Sequence, residues 1–170
     1  MPRRNQIDTR RYKMRQHLVS IGDDFYIEDE QGRRAYKIDG KVMRIRDTLI
    51  FEDMHGQELC RIKEKLVHIK DTMTIEGPDR ETIATVKKDL INILRDHFDV
   101  KVKDGPDLDV TGNIIDHYYR IKEGRHEVAR VDKKFFRMSD TYGVEIQAGQ
   151  NDVLILAVTV ALDMMAHKGN

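Results

Sequence analysis

The chain has 170 residues, 35% of them charged, with 30 basic and 30 acidic side chains and a net charge of zero. That length suits one domain with a real core, and the balance excludes a broad electrostatic pull toward nucleic acid, which is not expected as a partner. One cysteine, Cys60, cannot pair within the chain, so a disulfide scaffold is excluded and a reducing, cytoplasmic setting is expected.

The N-terminus, Met1-Pro2-Arg3-Arg4-Asn5-Gln6, lacks the apolar stretch of a secretion signal. Arg3, Arg4, Arg10, Arg11, Lys13 and Arg15 stand against Asp8 alone, so residues 1–15 carry +5 and the remainder −5. Residues 1–15 therefore read as a basic arm, either a solvated terminus or a contact for anionic phosphate groups, and 16–170 as the domain.

A repeat of 24 residues follows. Phe25-x-Ile27 matches Leu49-x-Phe51 and Met73-x-Ile75, and Tyr36-x-Ile38 matches Cys60-x-Ile62 and Ala84-x-Val86. Asp29…Gly32, Asp53…Gly56 and Gly77-Pro78-Asp79 supply turns between them, so alternating apolar residues bounded by turn formers predict strand–turn–strand. Val42-Met43-x-Ile45, Leu66-Val67-x-Ile69 and Leu90-Ile91-x-Ile93 predict a third strand in each unit. Residues 101–107 read as a turn-rich crossover. The pattern then returns at Leu108-x-Val110, Tyr119-x-Ile121 and Val128, with further strands expected near Val131–Met138 and Tyr142–Ile146.

The chain ends in Asp152-Val153-Leu154-Ile155-Leu156-Ala157-Val158-Thr159-Val160-Ala161-Leu162-Asp163-Met164-Met165. At about 100° per residue, its polar members Asp152, Thr159 and Asp163 fall within roughly 20° of one line on a helix. On a strand they would split between faces. A helix over about 151–167 is therefore predicted, capped by Asn151 or Asp152. A membrane span needs about 20 apolar residues and is not expected here. A helix apolar almost all round must be enclosed, and about a dozen short antiparallel strands can close into a barrel wide enough to hold it. The expected fold is mainly β (α+β), a closed antiparallel barrel of about 12 strands around one hydrophobic C-terminal helix.

Tyr12-Lys13-Met14-Arg15-Gln16, Ile21-Gly22-Asp23-Asp24-Phe25-Tyr26-Ile27-Glu28-Asp29-Glu30-x-Gly32, Tyr36-x-Ile38-Asp39-Gly40-Lys41, Leu94-Arg95-Asp96-x-Phe98-x-Val100 and the terminal helix, in that order and spacing, resemble the LURP-one-related proteins. These are relatives of the Tubby C-terminal domain and the phospholipid scramblases. The resemblance covers roughly residues 10–166 and implies a twelve-stranded barrel closed around a central hydrophobic helix. It implies no activity. The phosphoinositide-binding basic pair of Tubby domains finds no match, and Glu145–Asp152 holds too few carboxylates for a scramblase-like calcium site of six to eight oxygens.

Chemistry-bearing constellations are sparse. Ser20 and Ser139 lie in no nucleophile elbow. Cys60 sits at the repeat position of Tyr36 and Ala84 and reads as a small hydrophobe. His17, His55, His68, His97, His117, His126 and His167 show no metal-ligand spacing. No phosphate-binding glycine loop is present. Asp163, near the end of an enclosed helix, needs a partner, for which a strand-end arginine or a backbone amide at the rim is expected. No catalytic residue, metal or cofactor is expected. The favoured reading is a non-enzymatic binding or regulatory barrel, with an anionic phospholipid head group or another protein as partner. Its anion contacts would be Arg3, Arg4, Arg10, Arg11, Lys13 and Arg15. The alternative is a small-ligand carrier or enzyme using polar residues Asp152 and Asp163 at a barrel mouth; a dimer pairing through sheet edges is a third reading, with oligomeric state open.

Overall fold

The computed structural model describes residues 8–16, 24–40, 48–65, 72–89 and 96–167. Twelve strands occur in chain order. These are β1 (Arg10–Arg15), β2 (Phe25–Asp29), β3 (Arg34–Asp39), β4 (Thr48–Asp53), β5 (Glu58–Glu64), β6 (Thr72–Glu76), β7 (Thr82–Lys88), β8 (Asp96–Val102), β9 (Leu108–Asn113), β10 (Tyr118–Glu123), β11 (His126–Asp132) and β12 (Thr141–Ile146), followed by helix α1 (Asp152–His167). Each strand pairs antiparallel with its chain neighbours, and β1 closes on β12 to complete a barrel. No helix among the described residues is long and apolar enough to cross a membrane.

The 24-residue repeat is a repeat of hairpins. Phe25 faces Ile38, Leu49 faces Ile62 and Met73 faces Val86 in register, each pair 24 positions beyond the last. A bulge follows at Ile27/Glu28, Phe51/Glu52 and Ile75/Glu76, again at that spacing. The turns share one hydrogen-bond plan. The Asp29 carboxylate accepts from the amides of Gln31 and Arg33, and Asp53 does the same for His55 and Gln57. Gly32 and Gly56 take the left-handed conformation, φ 76° and 79°; Arg80 fills that position in the third unit at φ 67°. The third strand expected in each unit falls at residues 42–45, 66–69 and 90–93, outside the described residues.

Three expectations are corrected. Residues 1–15 are not wholly an arm, because Arg10–Arg15 are barrel strand β1, hydrogen-bonded to β12 from Arg10↔Ile146 to Arg15↔Thr141. The apolar residues Tyr12 and Met14 alternate with the cations and point inward, which gives this basic segment a buried face. Residues 101–107 form no crossover but a tight hairpin between β8 and β9, closed by the Asp107 carboxylate accepting from the Val102 amide at 3.0 Å. The strand near Val131–Met138 ends at Asp132, whose side chain caps a 3-10 turn at Lys133–Phe135 by accepting from the Lys134 amide.

Helix α1 runs down the barrel. Asn151 is its N-cap, the side-chain oxygen accepting from the Leu154 amide at 3.1 Å. Every residue from Ile155 to Met164 is at most 2% exposed, on all sides of the helix. The helix packs against β5, β6, β7 and β12. Thr159 satisfies its hydroxyl locally by donating to the Ile155 carbonyl at 2.9 Å. The outer wall carries cross-strand ion pairs such as Lys63–Glu76 and Lys13–Glu28. Strand alternation thus separates an apolar interior from a charged exterior.

Cys60 lies inside at 1% exposure, and that burial pushes its thiol up to about 12, with the charge of Glu58 adding to it. At pH 8 about one native molecule in 10⁴ would then carry the reactive thiolate. A disulfide reagent such as DTNB should label Cys60 only as fast as the barrel opens in urea; rapid native labelling would contradict this burial. Leu156, fully enclosed, should lose about 2–5 kcal/mol on Leu156→Ala in urea melts. Leu156→Asp should yield no folded protein, because its charge would have no partner.

Candidate functional site

The two carboxylates expected at one barrel mouth lie at opposite ends of the helix. Eleven residues at 1.5 Å each separate them by about 16 Å along the axis. Asp152, in the first turn, receives the Arg10 guanidinium in a two-pronged contact, Nε to Oδ2 at 2.6 Å and Nη2 to Oδ1 at 2.5 Å. The Tyr12 hydroxyl donates to Oδ2 at 2.6 Å. Burial raises the Tyr12 phenol well above its ordinary range, and the bond to Asp152 raises it further; the same carboxylate raises Arg10. Tyr36 packs against Tyr12 in a tilted pair, ring centroids 5.9 Å apart and planes at 47°. This end fastens β1 to the positive pole of the helix, and all of its polar groups are used in doing so.

Asp163 is the buried end. Its Oδ1 meets His117 Nε2 at 2.8 Å, and both residues are 2% exposed. The partner is therefore a histidine from the β9–β10 turn rather than the arginine or backbone amide expected, and Asp163 lies inside the barrel rather than at an open mouth. His117 reaches it from a left-handed backbone, φ 51°, with its amide bonded to the Ile114 carbonyl at 3.1 Å. Asn113 supports the same turn by accepting from the Asp116 amide at 3.0 Å. The imidazole stacks on the Tyr142 ring at 4.1 Å. Burial first, and then the charge of Asp163, push the phenols of Tyr119 and Tyr142 upward. The turn is possible because Gly112 adopts φ 142°, where an added Cβ would lie 2.5 Å from the Tyr118 carbonyl oxygen.

Of the four described cations expected to meet an anionic ligand, three are engaged. Arg11 Nε donates to Glu145 at 2.6 Å, and the guanidinium lies over the Phe135 ring at 4.9 Å. Lys13 pairs with Glu28 at 2.5 Å and Arg10 with Asp152. Arg15 is exposed at the end of β1. Arg3 and Arg4 lie outside the described residues. Among the described residues, Arg10, Arg11 and Lys13 each hold a different carboxylate, Asp152, Glu145 and Glu28.

A second polar group stands on the outer wall, at histidine and aspartate positions that show no metal-ligand spacing along the chain. Phe98 and Val100 of β8 point inward, so His97 and Asp99 share the outer face. Register then sets Asp109 of β9 directly opposite Asp99. His97 Nδ1 lies 3.0 Å from Asp89 Oδ2, while Nε2 faces Asp109 at 3.5 Å and Asp99 at 3.8 Å. Partial burial lowers the His97 pKa, but the bond to Asp89 and the charges of Asp99 and Asp109 outweigh it and the net shift is upward. The signal was the alternation of His97, Asp99 and Lys101; Asp109 needed the hairpin register, which a chain read alone does not contain.

The buried pair yields a double-mutant test. Asp163→Asn and His117→Asn (asparagine tolerates the left-handed backbone) should each cost about 1–3 kcal/mol in urea unfolding. Together they should cost less than the sum, with a coupling of about 0.5–3 kcal/mol. Strict additivity would mean the contact contributes nothing.

The sequence profile of the LURP-one-related family matches residues 10–163. No curated protein matches the chain. An X-ray structure of a protein from Arabidopsis thaliana is similar with a TM-score of 0.70 at 20% identity, covering 94% of this chain and 92% of that one. Its likeness is one of fold. With nine-tenths of its length matched by the family and its strands closed in the same architecture, the chain belongs to the LURP-one-related family.

Proposed function

We propose that this protein is a non-enzymatic binding module that works in the cytoplasm through its outer surface, with another protein as its partner. The observation that carries this reading is the filled interior. Helix α1 occupies the space a barrel of this size would otherwise offer a ligand, and Ile155–Met164 are at most 2% exposed. The buried carboxylate Asp163 is committed to His117, which favours a structural role over the enzyme or carrier reading.

Two surface facts favour a protein over a lipid head group. Arg10, Arg11 and Lys13 already hold carboxylates, so an incoming phosphate would have to displace them. The rim at the C-terminal end of α1 exposes Ile115, Tyr118 and Met138, each more than half accessible. Tyr118 opens β10 opposite Asp132 and Met138 lies just before β12, so strand order gathers them on one rim. Aromatic and methionine side chains are enriched at protein interfaces.

Full-length protein and an Ile115→Glu/Tyr118→Glu variant should be compared for partner capture from cells and for co-sedimentation with phosphatidylserine vesicles. The expected result is a specific protein captured by the parent, lost by a variant that melts as the parent does, with neither protein bound to vesicles. Vesicle binding abolished by Arg3→Glu/Arg4→Glu would replace this reading with the head-group one. Deleting residues 1–15 is unsuitable, because it removes β1.

A further inference from the structure

We propose that His97, Asp99 and Asp109 form a binding site for one divalent transition-metal ion of the zinc class on the outer wall of the barrel. Among the described residues these three are the group of histidine and carboxylate side chains whose donor atoms converge, all within 4.8 Å of one another. Zinc bonds of about 2.0–2.2 Å in a tetrahedron place neighbouring ligand atoms about 3.3–3.6 Å apart. His97 Nε2 stands 3.5 Å from Asp109 Oδ1 and 3.8 Å from Asp99 Oδ1, so rotations of the two carboxylates suffice to close the triangle.

The orientation of the imidazole is the second, separate observation. Asp89, from the segment after β7, bonds Nδ1 at 3.0 Å. That contact fixes the ring and turns Nε2 toward the two carboxylates, the carboxylate–histidine–metal arrangement that holds ligating histidines in place. Asp89 is accordingly a positioning residue. Placing Asp99 directly opposite Asp109 sets like charges across a strand pair, which is unfavourable without a cation between them. The neighbouring Lys101 adds positive charge near both, but its ammonium is held by Asp107 at 2.8 Å rather than by either of them.

Exposure decides the kind of site. His97 is 23% exposed, Asp99 45% and Asp109 49%. Three protein ligands with one side open leave a fourth position for water, so binding should be exchangeable rather than a condition of folding. The donor set of one imidazole and two carboxylates favours zinc, cobalt or manganese over calcium, which takes six to eight oxygens.

The test uses the full chain, stripped with chelator and titrated with ZnCl2 by calorimetry and with CoCl2 by visible absorption. One equivalent should bind, and in NMR spectra of the parent the His97 imidazole should be the first ring to shift. His97→Gln and Asp109→Asn should each weaken binding at least tenfold while leaving the metal-stripped protein folded, as its circular dichroism reads. Asp89→Asn should weaken it about 10–100-fold and alter the His97 ring tautomer in NMR. Absence of saturable binding would overturn the proposal. So would parental affinity in His97→Gln, or a first shift at another histidine; the parent spectra decide even if a variant fails to fold.

Discussion

Mutual enclosure of helix α1 and the barrel is the constraint from which the rest follows. A barrel of eight strands is just filled by its own side chains, whereas twelve strands leave a space their inward residues cannot close. Only a segment whose backbone groups bond within itself can fill such a space without burying unpaired amides and carbonyls, and a helix is that segment. The helix in turn is apolar on every side from Ile155 to Leu162 apart from Thr159, so no single sheet face could cover it. Each part supplies the surface that buries the other's apolar side chains.

Polar groups mark where that enclosure begins and ends. Asp152 is fastened by Arg10 and Tyr12 from the strand that closes the barrel, so the same few side chains set both the seam and the start of the helix. At the other end His117 folds in over Asp163 from a strained turn. A left-handed histidine costs free energy and persists where its surroundings over-determine it. Here the stacking on Tyr142 and the contact with the carboxylate supply that determination. These contacts fix how far the helix slides in, which an apolar surface alone would leave undefined, since hydrophobic burial is non-directional.

Much of this was legible before any coordinates. The repeat of 24 residues reflected hairpins with matching bulges and turn bonds, and its period shows because each hairpin must present the same alternation to the same interior. The polar stripe of α1 was legible because three residues on one line need only helical geometry. What failed was whatever depends on tertiary register. Asp163 demanded a partner, but no local pattern points from residue 163 to a histidine 46 positions earlier. Asp99 and Asp109 are ten apart in the chain and meet only because β8 and β9 turn tightly at residues 103–107. Arg10–Arg15 has the charge of an arm, and its strand character rests only on the alternation of Tyr12 and Met14, which are buried.

The same enclosure bears on function. Once a protein fills its own cavity, recognition moves to surfaces that closure leaves untouched, and a closed barrel has no edge strand with which to add a peptide. Surface chemistry then has two places to reside here. The rim residues Ile115 and Tyr118 belong to the β9–β10 turn and its first following residue, which also carry His117 to Asp163, so a partner seated there would rest on the turn that holds this pair. The wall at His97 is different, because its geometry comes from strand pairing that does not depend on the helix end. A pre-set rim favours recognition with little ordering cost, and strand-mounted ligands hold their spacing for the same reason. The fold therefore separates an interior whose side chains serve closure from an exterior that closure leaves exposed.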